Sequence, residues 1–409
     1  MKTRSKVLCL ILTVLMAFGM VGCGKFSPKK VAAKELTANM KVSVNSRAAD
    51  DRFVSAYDDF SFEFLSRAAN EENVLVSPLS AAICLSMIFN GANGETLSQF
   101  ENTFGGIGID ELNEYFKKYI DETDSDKIKI ADSVWLNSEL DDPTEQFLKD
   151  VKSYYNSEVY KAVFDSGLVK DVNNWVYNKT NGMIKEILND TNKRYYMYLL
   201  NALYFESEWI KQYEKSDISD RQFTNADGSV TNVQMMYSGE SGYFSLGGAD
   251  CFTKYYKGGR YAFVGMLPKV GEKLSDFLKG ISGSEFKEAF QAREYISVDA
   301  GIPEFTYDYS IEMTDLLKDM GIVKAFTNEA DFTKMRARGE LNLDFVLQKT
   351  RIELDRMGTK AAAVTIGGME ATSAGPQEKK RIILDRPFAY AIVDASNGMP
   401  LFLGGVNKL

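Results

Sequence analysis

Gly358-Thr359-Lys360-Ala361-Ala362-Ala363-Val364-Thr365-Ile366, continuing through Gly367-Gly368-Met369-Glu370-Ala371-Thr372-Ser373 to Pro376, lies where a short connector belongs. It separates two strand-like runs, Asn342–Leu354 and Arg381–Val393. Long structureless loops in compact domains are functional or disordered. Its parity is informative. Every second residue from Thr359 (Thr359, Ala361, Ala363, Thr365, Gly367, Met369, Ala371) is uncharged and mostly small, and the two charges, Lys360 and Glu370, both fall in the other set. Side chains alternate faces with period two in a strand. The segment is written so that, as a strand, it buries one face without burying a charge. Ala/Gly/Thr-rich stretches also serve as plain flexible linkers, so parity alone leaves both readings open.

Outward from this loop the pattern is mixed. Ser77-Pro78 opens a helix, Ser as N-cap and Pro at the first helical position; Leu79, Ile83, Leu85, Met87, Ile88 and Phe89 make it apolar on all sides and hence central. Asn90-Gly91 closes it. Further helices are predicted over 95–104, 170–188 and 311–320, and strands over 198–206, 261–267 and 296–298. Helices early and strands late indicate an α+β fold with a mixed sheet.

Lys2, Arg4 and Lys6 precede an apolar run, Val7 to Val21, and then Gly22-Cys23. A basic start and an apolar stretch of this length describe an export leader over residues 1–22, not a spanning helix. Gly22-Cys23 resembles a bacterial lipoprotein signal, which makes Cys23 the lipidated first residue; an ordinary secretory leader with an incidental Cys is the other reading. Residues 23–50 read as a tether and 51–409 as one domain.

The chain is acidic, with 48 Lys and Arg against 57 Asp and Glu. This disfavours nucleic acid as a partner. Past Cys23 only Cys84 and Cys251 remain, too few for a disulfide framework. Stability therefore rests on an apolar core. There is no histidine. That removes Ser-His-Asp and Cys-His nucleophile pairs and His-ligated zinc. Phosphate-binding, Cys-x-x-Cys and dinucleotide motifs are absent as well. No metal, cofactor or catalytic set is expected; a carboxylate-based hydrolase is the weakest alternative.

A series of short motifs carries a resemblance. Asn73-Val74-Leu75-Val76-Ser77-Pro78-Leu79-Ser80, Gly91-Ala92-Asn93-Gly94-Glu95-Thr96, Asn174-Trp175-Val176 with Thr180-Asn181-Gly182, and Asn201-Ala202-Leu203-Tyr204-Phe205 with Trp209 come first. Phe223, Val233-Gln234-Met235-Met236, Ile302-Pro303-Glu304-Phe305, Ala330-Asp331-Phe332, Gly358 to Ala363, Arg386-Pro387-Phe388 and Pro400 to Val406 follow in order. Together they resemble the serpins. The resemblance implies helices around a large central mixed sheet with smaller sheets, and an exposed reactive-centre loop over about 356–380. It also implies a monomer that traps serine proteases: the cleaved loop enters the central sheet as a new strand. By the same resemblance Gly358, Thr359, Ala361, Ala362, Ala363 and Thr365 form the loop hinge. Ser77, Ser80, Asn201 and Gln348 form a polar cluster gating the sheet, and Trp209 marks the breach where the loop enters. The sequence departs from the family pattern at Arg356, where Glu is usual, and at Gln348, where histidine is usual. Family spacing from Arg356 places the cleaved bond at Thr372-Ser373, with Met369 and Ala371 as alternatives; counting back from Arg386-Pro387 points nearer Pro376. Small residues there suit elastase-like or subtilisin-like serine proteases. A non-inhibitory serpin, cleaved as a substrate or binding a partner, is the rival reading.

Overall fold

The computed structural model describes residues 27–40, 43–123, 127–338, 341–359 and 379–409. In chain order the elements are β1 (Lys34–Glu35), α1 (Asp51–Ala68), β2 (Val74–Val76), α2 (Pro78–Phe89), α3 (Gly94–Asn102), α4 (Ile109–Glu122), β3 (Ile128–Asn137), α5 (Glu145–Tyr155), β4 (Glu158–Ala162), α6 (Ser166–Lys179), β5 (Met197–Phe205), β6 (Ser207–Glu208), β7 (Ile218–Thr224), β8 (Val230–Leu246), β9 (Ala249–Tyr255) and β10 (Tyr261–Leu267). They continue with α7 (Leu274–Gly280), α8 (Gly283–Gln291), β11 (Glu294–Pro303), β12 (Phe305–Glu312), α9 (Thr314–Asp319), β13 (Phe345–Asp355), β14 (Gly358–Thr359), β15 (Lys380–Ile383), β16 (Phe388–Asp394) and β17 (Pro400–Val406). The fold is α+β, as expected.

Two mixed sheets organise the molecule. The central one runs β1-β4-β3-β5-β13, with β12 beyond β13 and the short β14 and β6 at one end; the other runs β15-β11-β8-β9-β10-β16-β17-β2, with β7 on β8. Between them lies α2, every residue of which is buried. Ser77 caps it by accepting from the Ser80 N–H, and Pro78 occupies the first turn, so the motif read from sequence forms locally as written. α6 packs on β3, and its Leu168, Val172, Trp175 and Val176 share a second apolar cluster with Ile184, Ile187, Leu200 and Leu347.

Several sequence expectations need correction. The helix expected over 170–188 is α6, earlier and shorter; Asn181 and Gly182, both at positive φ, end it. Residues 311–312 finish β12, so the helix expected there starts only at Thr314. The run Arg381–Val393 is two strands in different parts of the second sheet, parted at Arg386-Pro387, where proline lacks the donor a ladder needs. The segment read as a tether over 23–50 is docked over part of its length. Lys34 and Glu35 pair with Lys161 and Tyr160, extending the central sheet by an edge strand, and Arg47 reaches Glu111 and Glu114 on α4.

Candidate functional site

The site is the seam between β5 and β13. The two strands pair in parallel from Phe345↔Tyr198 to Thr350↔Leu203. Continued in that register, Leu354 would face Ser207. Instead Thr359 stands between them, paired antiparallel with Leu354 on one side and Ser207 on the other; Gly358 likewise pairs with Asp355 and Glu208. The first two residues of the loop thus form a wedge in a seam that is closed along the rest of its length.

The wedge is held by its surroundings. Asp355 turns the chain, its carboxylate accepting from the N–H groups of Met357 (2.7 Å) and Gly358 (3.2 Å). Trp209 donates from its indole to the Asp355 carbonyl (3.0 Å) and from its backbone to the Met357 carbonyl (2.9 Å), while the Tyr213 N–H reaches the Arg356 carbonyl (3.0 Å). The indole stacks on Tyr256, centroids 4.4 Å apart, and the Tyr256 hydroxyl shares a 2.7 Å hydrogen bond with the Thr359 hydroxyl. Beneath, the buried Lys254 ammonium pairs with Glu240 at 2.6 Å and lies over the Trp209 and Tyr213 rings. Glycine is obligatory at 358: with φ +154°, a Cβ would meet the Ser207 carbonyl oxygen at 2.2 Å. Arg356 is exposed, and only its backbone carbonyl enters this arrangement. The turn is fixed by Asp355, which sequence reasoning did not single out.

Further down the seam, Gln348 and Asn201 are register partners, and the Gln348 amide donates across it to Asn201 Oδ1 (2.9 Å) and to the Ser77 carbonyl (2.9 Å). Gln348 Oε1 accepts from the Ser77 N–H (2.9 Å), and the Ser77 hydroxyl donates to the Leu401 carbonyl (2.8 Å). Asn201 Nδ2 donates to the Ser80 carbonyl (3.0 Å) and hydroxyl and to Asp132 Oδ1 (2.5 Å). The four residues named from sequence therefore form one buried network, with Gln348 bridging the two strands. Asp132 on β3 and Cys84 on α2 complete it. Burial lifts the Asp132 carboxyl to about 7, against the pull of its bonds to Asn201 and Cys84. The signal for Asp132 was available: a lone acid in Ala131-Asp132-Ser133-Val134-Trp135, an otherwise uncharged run.

Ala361, Ala362, Ala363, Thr365, Met369, Ala371, Thr372, Ser373 and Cys23 lie outside the described residues. On the far side of the loop, β15 pairs in parallel with β11 at the edge of the second sheet. Residues 360–378 therefore join two different sheets. Among the described residues the site holds no nucleophile–base pair; what it offers is a closed seam already parted at one end by the first two residues of the loop.

The family model described as serpin (serine protease inhibitor) matches residues 55–409. The chain is a serpin. Mouse neuroserpin is 28% identical over 375 residues, covering 87% of this chain and 91% of that one. Tengpin, a thermophilic serpin, solved in its native state, has TM-score 0.86 and 37% identity, covering 92% of this chain and 100% of that one. Its latent state has TM-score 0.78 and 35% identity, covering 89% and 100%. The likeness is higher to the native form, in keeping with a seam whose strands are paired. Serpins are generally protease inhibitors, not enzymes.

Proposed function

We propose that this serpin is a suicide inhibitor of serine proteases whose loop, once cut, completes the strand that Gly358 and Thr359 begin. The wedge between β13 and β6 carries this reading, because the hinge already has the antiparallel register a full strand would extend. In the proposed reaction the protease serine oxygen attacks the Thr372 carbonyl carbon. The Thr372–Ser373 bond breaks, Ser373 leaves with a protonated amine, and an ester joins Thr372 to the enzyme. Insertion of the freed strand then outruns hydrolysis of the ester. The driving force is the ladder gained on both flanks, released from a native state held by a kinetic barrier.

The residues Met369 to Ser373 include no Lys or Arg, which supports elastase-like or subtilisin-like targets. The chain is further proposed to be exported and held at a membrane by lipid on Cys23, a reading supported by Lys2, Arg4, Lys6 and the apolar run after them; the intact mass of the mature protein tests it. Among the described residues no helix is long and apolar enough to cross a membrane.

Mixing the protein with an elastase-type protease and resolving the products on a denaturing gel tests the function. The expected products are a band at the summed mass and a released peptide beginning at Ser373. Cleavage with no such band, repeated with subtilisin- and chymotrypsin-type enzymes, would make this a non-inhibitory serpin.

A further inference from the structure

We propose that Asp355 is a positioning residue for loop insertion: its carboxylate holds the hairpin turn that sets the register, and so the buried face, of the strand the cut loop completes. The inference rests on the strand-insertion reading above. It starts from the length of the turn. Leu354 pairs with Thr359 and Asp355 with Gly358, so Arg356 and Met357 alone lie between the two arms. In a hairpin the turn and its length fix the register of everything beyond it. The half-buried Asp355 closes this turn from inside, one carboxylate oxygen accepting from both the Met357 and the Gly358 N–H groups (2.7 and 3.2 Å). Aspartate suits the task because its short side chain reaches backbone groups just ahead of it in the chain. Trp209 and Tyr213 grip the same turn through the carbonyl oxygens of Asp355, Met357 and Arg356. Those contacts anchor the turn to its surroundings. The carboxylate ties the last residue of β13 to the first of β14, and so counts the residues between them.

That count decides which charges a completed strand would bury. Thr359 is buried, and its hydroxyl meets that of Tyr256 at 2.7 Å, so the side chain at this position faces the interior. Every second residue from Thr359 to Ala371 is uncharged, whereas Lys360 and Glu370 belong to the other set. With the turn held at its present length, a strand growing from Thr359 sends the uncharged set inward. A slip of one residue exchanges the two faces. Lys360 would then enter the core at the first step, and an unpaired ammonium is too costly to bury there. A strand begun in the wrong register must back out before it can complete. During that delay the ester is hydrolysed, which frees the protease and leaves a cut, spent inhibitor. Asp355 therefore acts on the contest between insertion and hydrolysis, not on the cleavage that precedes it.

The test uses the full chain carrying Asp355→Ala, Asp355→Asn or Asp355→Glu, mixed with an elastase-type protease. Two quantities are read: the rate of loop cleavage, and the number of inhibitor molecules consumed per protease trapped. Cleavage should keep the parent's rate in all three. In Asp355→Ala the number consumed should rise several-fold, since a hydrogen bond to a charged group biases two arrangements by about tenfold. The Asn side-chain oxygen accepts from the same two N–H groups, so Asp355→Asn should return most of the way to the parent. Asp355→Glu keeps the charge one methylene out of place and should resemble alanine; it carries the test where Asp355→Ala folds poorly. An unchanged number in the alanine and glutamate variants, or an asparagine variant no better than they are, would overturn the proposal. Thr144→Ala, which removes the side-chain cap of α5, should lower the urea midpoint and leave the number unchanged; a matching rise there would show that stability sets the number, not register. A parent that traps no protease refutes the inhibitory reading. Register is then read from protein cut in the loop by a metalloprotease, which forms no ester. The fraction gaining urea resistance should be lower in Asp355→Ala than in the parent and restored in Asp355→Asn; equal fractions, or no gain in any of them, would overturn the proposal.

Discussion

Gly358 illustrates how single residues set this mechanism. Alanine there strains the backbone by about 1–3 kcal/mol and drives its Cβ into the Ser207 carbonyl. Gly358→Ala should displace the wedge and convert trapping into substrate turnover, read as a higher number of inhibitor molecules consumed per protease; an unchanged number would contradict the hinge geometry. Thr365→Arg should abolish trapping while cleavage persists, because an arginine on the inward face must be buried unpaired. Gln348→Ala leaves the Ser77 N–H and the Asn201 carbonyl oxygen without their present partners. A cost of about 1–3 kcal/mol follows, measurable as a lower midpoint of urea unfolding. The acids give a pH dependence of defined sign. Burial raises Asp132 to about 7 and Asp58 to about 8. A carboxyl raised in the fold above its unfolded value favours the fold fully below about pH 4, and that contribution is lost as pH climbs to the folded value. The urea midpoint should therefore fall between pH 5 and 8. Asp132→Asn should make the fall shallower up to about pH 7 and leave the part due to Asp58, which runs on to about pH 8; an unaltered profile would contradict the assignment.

Among the elements, legibility from sequence followed physical cause. The Ser77-Pro78 helix and the strand at 261–267 were readable because caps and apolar runs act locally. Parity marked the loop as a candidate strand, since burial of one strand face is a period-two constraint, and the positions past Thr359 lie outside the described residues. The depth of the wedge was not, because it depends on the register of β13 against β5 and β6, elements far apart in sequence. The same holds for β15 and β16. Their residues read as one apolar run, and only Pro387 hinted that the run changes place in the sheet. The docking of residues 29–37 escaped notice because its bonds come mainly from the segment's own backbone, which leaves no pattern in side-chain types. Asp171 and Asn178, which receive it, look like ordinary surface residues of a helix in sequence.

For the whole molecule, the proposed inhibition requires the closed seam to be metastable and the loop to be its missing strand. Backbone pairs along Phe345 to Thr350 and the Gln348 bridge hold it closed; in the proposed reaction it opens from the wedge. The central claim is that β5 and β13 must part for a protease to be trapped. A disulfide across the seam tests it most directly. Ala202 and Lys349 are register partners on the two strands, and Ala202→Cys with Lys349→Cys can lock them together. With the disulfide formed, the account predicts a cleaved loop and no covalent complex on a denaturing gel; with it reduced, the complex returns. A covalent complex of equal yield in both states would show that trapping proceeds without opening the seam, and the account would be wrong.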